Sequence, residues 1–227
     1  MNDVAARLAA VETAIAEAAR RHGRDAAAVR LVAVSKRQPA AALRAAHAAG
    51  QRRFGENYLQ EAQAKQEALA DLDLEWHFIG VIQGNKTAAI AERFDWVHTV
   101  DRARIATRLN DQRPAGRAPL KVLLQVNISG EASKGGVLPA ELPALVAQVR
   151  GLPQLDLRGL MALPAPHADP AAQRAAFAAV ARLARECGPG LDELSIGTSD
   201  DFASAIAEGA TLVRLGTAVF GPRPAAA

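Results

Sequence analysis

The sequence predicts an α/β fold: a single (β/α)₈ TIM-type barrel with an extra N-terminal helix. Two observations carry that expectation. Apolar, β-rich runs alternate with Ala-rich helical stretches from end to end, and the strand candidates number eight. Strict βα alternation implies a parallel sheet with right-handed crossovers. Eight such units can close into a barrel without leaving an edge, and 227 residues is a sufficient length. An open doubly wound sheet also fits the alternation, but the eight-fold count favours the barrel.

The elements follow in order. A helix over about residues 3–21 rests on Val4, Leu8, Val11 and Ile15 at helical spacing. Asp3, Glu12 and Glu17 interrupt any apolar run there, so the segment does not read as a signal peptide. The strand candidates are 30–35 (RLVAVS), 52–55 (RRFG), 74–79 (LEWHFI), 95–99 (DWVHT), 120–127 (LKVLLQVN), 155–160 (LDLRGL), 191–196 (LDELSI) and 211–215 (TLVRL). Helical segments 39–49, 57–70, 85–93, 102–110, 139–150, 170–187 and 200–208 separate or follow them. No composition shift marks a second domain, so residues 1–227 are expected to form one domain, with 221–227 as a C-terminal tail.

Composition narrows the function classes. Half the residues are hydrophobic but only 4% are aromatic, which assigns the core to Ala, Val, Leu and Ile. Cys187 is the single cysteine, so no intramolecular disulfide can form. No run approaches the ~20 apolar residues of a membrane span, and a cytoplasmic protein is expected. The net charge is +3 and the pI about 9.4, with Arg and Lys scattered among acids. No basic run interleaves with aromatics, which argues against nucleic-acid binding.

Chemistry in such barrels sits at the C-terminal ends of the strands. Lys36 stands where the first strand leaves the core, and partial desolvation there would expose a neutral amine for carbonyls. Its bland reading is a rim lysine, paired for instance with Glu56. The loops after strands seven and eight are the usual phosphate site of the fold. They contain Gly197-Thr198-Ser199 and Gly216-Thr217, where backbone amides and hydroxyls can meet an anion. Ser199 or Asp200 would also serve as a helix N-cap. A phosphate site facing a strand-one lysine suggests a phosphorylated carbonyl ligand. His77 could simply pack within strand three, and Asn57 could cap the second helix. Asp200 and Asp201 are adjacent at a helix start, where carboxylates complement the dipole, so no metal is expected. Cys187 has no base beside it and reads as inert.

Seven segments together resemble the pyridoxal phosphate homeostasis proteins, single-domain relatives of the fold-type III enzymes of pyridoxal 5′-phosphate (PLP) and of the alanine racemase N-terminal domain. They are LVAVSK (31–36), FGENYLQE (54–61), WHFIG (76–80), QVNISGE (125–131, with Lys134 and Gly136 following), GLM (159–161), SDD (199–201) and RLGTAVFG (214–221). The resemblance runs from about Val4 to Pro224. It implies a PLP cofactor held as a Schiff base on Lys36, with Ser199, Gly216 and Thr217 around the phosphate. It further implies Arg214 facing the pyridine nitrogen, and Asn57 and His77 lining the cofactor. Two departures stand out. The family commonly has Ser-Met-Gly-Met-Ser where this chain has Ser195-Ile196-Gly197-Thr198-Ser199, and Leu-Gln-Ser-Asn-Lys where it has Ile82-Gln83-Gly84-Asn85-Lys86. The hydroxyl donor and the glycine survive the first change, and Asn85 and Lys86 the second.

The implied function is binding and buffering of PLP in vitamin B6 and amino-acid homeostasis, without robust catalysis. A monomer is expected, with PLP-dependent apoenzymes as candidate recipients. Three alternatives stand beside it: a weakly active amino-acid racemase-like PLP enzyme, a cofactor-free Schiff-base lyase using Lys36, and an interaction module working through its basic surface. The racemases that the chain resembles add a β-rich domain supplying an opposing tyrosine, whereas Tyr58 is the single tyrosine here.

Overall fold

Eight parallel strands pair each with the next, and the last returns to the first, closing the barrel. They are β1 (Arg30–Val34), β2 (Arg53–Glu56), β3 (Glu75–Phe78), β4 (Trp96–Val100), β5 (Leu120–Val126), β6 (Leu155–Ala162), β7 (Glu193–Ser195) and β8 (Leu212–Leu215). The helices are α1 (Val4–Arg21), α2 (Ala40–Ala48), α3 (Leu59–Ala68), α4 (Thr87–Arg93), α5 (Ala103–Asp111), α6 (Leu142–Arg150), α7 (Pro170–Glu186), α8 (Phe202–Ala207) and α9 (Thr217–Phe220). This computed structural model describes residues 4–131, 134–165 and 169–222. The predicted barrel and its extra N-terminal helix are both present. Of the expected tail, residues 223–227 lie outside the described residues.

Strand alternation divides the core in two. Leu31, Ala33, Val97, Val122, Leu124, Leu160 and Val213 face outward and join the helices in one large cluster. Their neighbours Val32, Trp96, Leu123, Met161 and Leu212 form a separate cluster inside the barrel. α9 has only four residues, and α1 supplies the cover that a longer final helix would give, packing against α2, α8 and α9. Arg24 ties the end of α1 to the carbonyls of Ile206 and Ala210 at 2.8 and 2.7 Å. Most element ends fall within one to three residues of the sequence expectation, α8 for instance beginning at Phe202 rather than at residue 200, and α9 was not foreseen.

Closure requires one close approach. A Cβ on Gly159 of β6 would lie 1.8 Å from the Glu193 carbonyl oxygen, so only glycine lets β6 and β7 pair here. The strand also slips register against β5 just before this point, between Val122 and Leu123.

The N-terminal mouth of the barrel is closed by charge. Arg30 pairs with Glu193, Arg53 with Glu75 at 3.2 Å, and Lys121 approaches Glu75 at 4.0 Å. Arg30 and Lys121 also lie over the Trp96 ring. Among the described residues no helix is long and apolar enough to cross a membrane.

Glu75 sets an acid limit on stability. Partial burial pushes its carboxyl up, but the hydrogen bond from His77 with the charges around it outweighs this and holds it at about 2. A carboxylate depressed below its unfolded value stabilises the fold above that value and loses the contribution as pH falls. Stability should therefore decline between about pH 4.5 and about pH 2. Urea unfolding at a series of pH values checks this, and Glu75→Gln should flatten that limb of the curve.

Candidate functional site

A cavity of about 540 Å³ opens at the C-terminal ends of the strands. Lys36, Asn57, Ser199, Arg214, Gly216 and Thr217 all line it, with Val34, Ile79, Met161 and Leu163 as apolar walls. Six of the seven predicted cofactor-binding residues are thus gathered in one place. The seventh, His77, is not: it is fully buried inside the barrel, stacked on Trp96 at 5.6 Å and away from the cavity lining.

Lys36 leaves β1 through a turn fixed on both sides. The Lys65 ammonium, reaching from α3, donates to the Ser35 carbonyl at 2.6 Å, to Glu56 Oε1 at 2.7 Å and to Glu61 Oε1 at 2.6 Å. The Ser35 hydroxyl donates to the same Glu56 oxygen at 2.6 Å. Beyond Lys36, the Arg37 amide donates to Glu61, and Arg37 holds a left-handed φ of 60°. That conformation costs a non-glycine residue energy and persists only where its surroundings impose it. Glu56 therefore pairs with Lys65, not with Lys36 as the bland reading of the sequence had it. Burial pushes the Glu56 carboxyl up, opposed by the Lys65 charge and by hydrogen bonds from Lys65 and Ser35.

The opposite wall comes from the turns after β7 and β8. Gly197 has φ +94°, and a Cβ there would meet the Ala205 Cβ at 2.7 Å. Asp201 Oδ1 accepts from the Thr198 amide at 2.6 Å and the Thr198 hydroxyl at 3.0 Å, folding the turn. Asp201 is the N-cap position of α8, so neither Ser199 nor Asp200 serves as the cap. The backbone amides of Ser199, Asp200, Thr217 and Ala218 find no acceptor among the described residues, nor do the hydroxyls of Ser199 and Thr217 find a partner. All four residues line the cavity. Clustered, unsatisfied donors of this kind suit an anion with several oxygens.

Arg214 forms the floor. It is 5% exposed, and its guanidinium donates to the Ser195 carbonyl and hydroxyl at 2.6 Å each and to the Ala162 carbonyl at 3.2 Å. Burial lowers its pKa to about 10, with Asp201 opposing, so it stays charged at neutral pH. Asn57 does not cap α3, whose N-cap position is Tyr58. Its amide oxygen is instead buried without a partner among the described residues.

The sequence reading missed the supports: Ser35, Glu56 and Lys65 beneath Lys36, and His98 and Ser195 beneath Arg214. His98 carried a signal, since it sits two residues after Trp96 on the inward face of β4. Cys187 ends α7, outside the cavity lining, and burial pushes its thiol up. Among the described residues no group of three or more His, Cys, Asp or Glu is placed to hold a metal ion.

The family described as alanine racemase, N-terminal domain, matches residues 7–224. The pyridoxal phosphate homeostasis protein of Pseudomonas aeruginosa is 61% identical over 223 residues, covering 98% of this chain and 97% of that one. Its counterpart from Escherichia coli K12 is 53% identical over 230 residues, covering 98% of each. Among solved structures, PipY of Synechococcus elongatus without PLP superposes with a TM-score of 0.87 at 43% identity, over 96% of this chain and 100% of PipY. The structure of PipY with PLP bound gives a TM-score of 0.83 at 42% identity, with the same coverage.

The cluster beneath Lys36 predicts a large stability effect. Lys65→Met removes the cation and leaves the Glu56 carboxylate buried, and breaking one side of a buried pair costs about 3–5 kcal/mol. The double variant Lys65→Met/Glu56→Leu should recover much of that loss in urea unfolding. Equal losses in the single and double variants would show that the pair does not act as a unit.

Proposed function

The chain belongs to the pyridoxal phosphate homeostasis proteins, within the family of alanine racemase N-terminal domains, and from that membership we propose that it binds PLP for intracellular cofactor homeostasis, with Lys36 as the Schiff-base lysine. One observation carries the reading. Across a single cavity, a lysine held in a fixed turn faces four backbone amides and two hydroxyls that find no partner among the described residues.

The residues fit the group. A cavity of about 540 Å³ suits a small aromatic phosphate ester. Ser199 and Thr217, with the amides of the β7 and β8 turns, would take the phosphate, and Gly216 keeps its turn free of a side chain. Ile79, Met161 and Leu163 offer apolar surface for a ring, and the orphaned amide oxygen of Asn57 offers it a polar contact. When bound, the cofactor supplies an aldehyde that condenses with amines and a ring that withdraws electrons.

Arg214 supports a carrier over a catalyst. A guanidinium only donates hydrogen bonds, so facing the pyridine nitrogen it leaves that nitrogen unprotonated. The strong electron sink of PLP catalysis is then missing. Tyr58, the single tyrosine, is half exposed just beyond β2 and lies outside the cavity lining. We read the whole chain as one domain, a cytoplasmic monomer that passes PLP to PLP-dependent apoenzymes.

Adding PLP to the purified protein should produce a visible absorption band, and borohydride reduction should fix a pyridoxyl group on Lys36. Peptide mapping that put the label on Lys86, Lys121 or Lys134 would move the site. Ser199→Ala and Thr217→Val should each weaken binding by roughly 1–3 kcal/mol, the loss of a hydrogen bond to a charged group. Pyridoxal, lacking the phosphate, should bind poorly to the unaltered protein, and equal affinities would reduce these turns to structure. Incubation of the loaded protein with L- or D-alanine in deuterated water should give little α-proton exchange; fast exchange with turnover would favour a racemase-like enzyme.

A further inference from the structure

A chain of five polar groups runs through the barrel from the cavity floor to its far mouth. Arg214 Nη1 lies 2.6 Å from Ser195 Oγ, Ser195 Oγ 2.8 Å from His98 Nδ1, His98 Nε2 2.8 Å from His77 Nδ1, and His77 Nε2 2.9 Å from Glu75 Oε1. Ser195, His98 and His77 are fully buried. No carboxylate pairs directly with Arg214 among the described residues.

With both rings neutral, the end groups fix the direction of every bond between them. Glu75 is ionised and can only accept, so His77 Nε2 carries the hydrogen. Burial, against the opposing Glu75 charge, lowers the His77 pKa and keeps the ring neutral, so its Nδ1 must accept. His98 Nε2 therefore donates. Burial, with His77, Arg214 and Arg30 nearby, holds His98 well below the ordinary imidazole range, so its Nδ1 accepts in turn. The single hydrogen of the Ser195 hydroxyl then points at His98, and its lone pairs are left for the guanidinium, which can only donate. Reversing either ring would set two acceptors or two donors face to face in a fully buried site, and an unmade buried hydrogen bond is costly.

We infer that His98 is a positioning residue for Arg214: by accepting the Ser195 hydroxyl on Nδ1, it turns the serine's lone pairs toward the guanidinium and fixes the cation at the cavity floor, in a one-way chain of donors that ends on Glu75. Its importance for cofactor binding rests on the reading that Arg214 faces PLP. The chain itself rests only on the geometry.

Two measurements test it. Long-range ¹H–¹⁵N correlation on cofactor-free protein labelled at histidine, at neutral pH, should show His77 and His98 both neutral, with Nε2 protonated and Nδ1 bare. A proton on either Nδ1 would overturn the chain. In the same cofactor-free state the Arg214 guanidinium should give a restricted, slowly exchanging signal that collapses in Ser195→Ala. A signal unchanged in that variant would equally remove the positioning role. With PLP added, Ser195→Ala and His98→Leu should each weaken binding by about tenfold, the scale of one oriented hydrogen bond to a charge. The double variant should bind no worse than either single one, because both changes cut the same chain. His98→Asn, whose amide can accept near the Nδ1 position, should restore part of the loss. Additive losses, or undiminished affinity in a folded Ser195→Ala protein, would refute the role. Failure of the unaltered protein to bind PLP would instead sink the functional reading, while the two cofactor-free measurements would still decide the chain.

Discussion

Closing eight parallel strands on themselves forces every second side chain into the interior of the barrel. The barrel here is too narrow to be anything but packed, and the sequence does not fill it with hydrocarbon alone. Val32, Trp96, Leu123, Met161 and Leu212 take part of the volume. His77, His98, Ser195 and Arg214 take much of the rest. Each of these brings donors or acceptors that must find partners inside. The outcome is a continuous polar chain rather than scattered pairs, and that chain links the two ends of the barrel.

Its two ends differ in kind. At the N-terminal mouth, Glu75 is shared by the partly exposed Arg53 and Lys121 and by the buried His77, so its charge is spread over several groups. At the C-terminal mouth, Arg214 is buried and held by carbonyls and one hydroxyl. A guanidinium tolerates such a place better than an ammonium, being weakly hydrated and planar. The turn that carries Lys36 follows a related logic. There Lys65 spends its donors on Ser35, Glu56 and Glu61, and the strained Arg37 is pinned on the far side. The amine that faces the cavity is thus distinct from the ammonium that builds the wall.

How much of this was legible in the sequence depended on which physical signal each residue left. Strand and helix periodicity is local, so all eight strands and the helices between them could be read directly. α9 could not, because four residues do not complete a pattern. The turns after β7 and β8 were legible because glycine and hydroxyl residues at those two positions have a known use. His77 lies outside the cavity lining for a reason the barrel makes plain. Alternation tells which side of a strand a residue faces but not how deep in the barrel it lies. Ile79, two residues further along the chain, faces the same way and lines the cavity; His77 lies one layer lower, at a rise of about 3.3 Å per residue. The Glu56–Lys65 pair was hidden because it joins a strand to the following helix, where sequence spacing carries no rule.

The same layering explains how a residue can matter to a site it never touches. His77 and His98 are separated from the cavity by Ser195 and Arg214, so no bound group contacts them. Yet a serine hydroxyl has one hydrogen, and where it points is decided by its strongest acceptor. With a bare imidazole nitrogen at 2.8 Å, that acceptor is His98, and the face of the oxygen turned to Arg214 is all lone pair. Exchange the imidazole for a hydrocarbon and the hydroxyl is free to rotate. Some of its orientations then set a hydrogen against the guanidinium. The floor of the cavity would keep its shape and lose its fixed charge. Orientation at the mouth of this barrel is therefore set by tautomers in its middle, a constraint that a list of residues around the cavity leaves out.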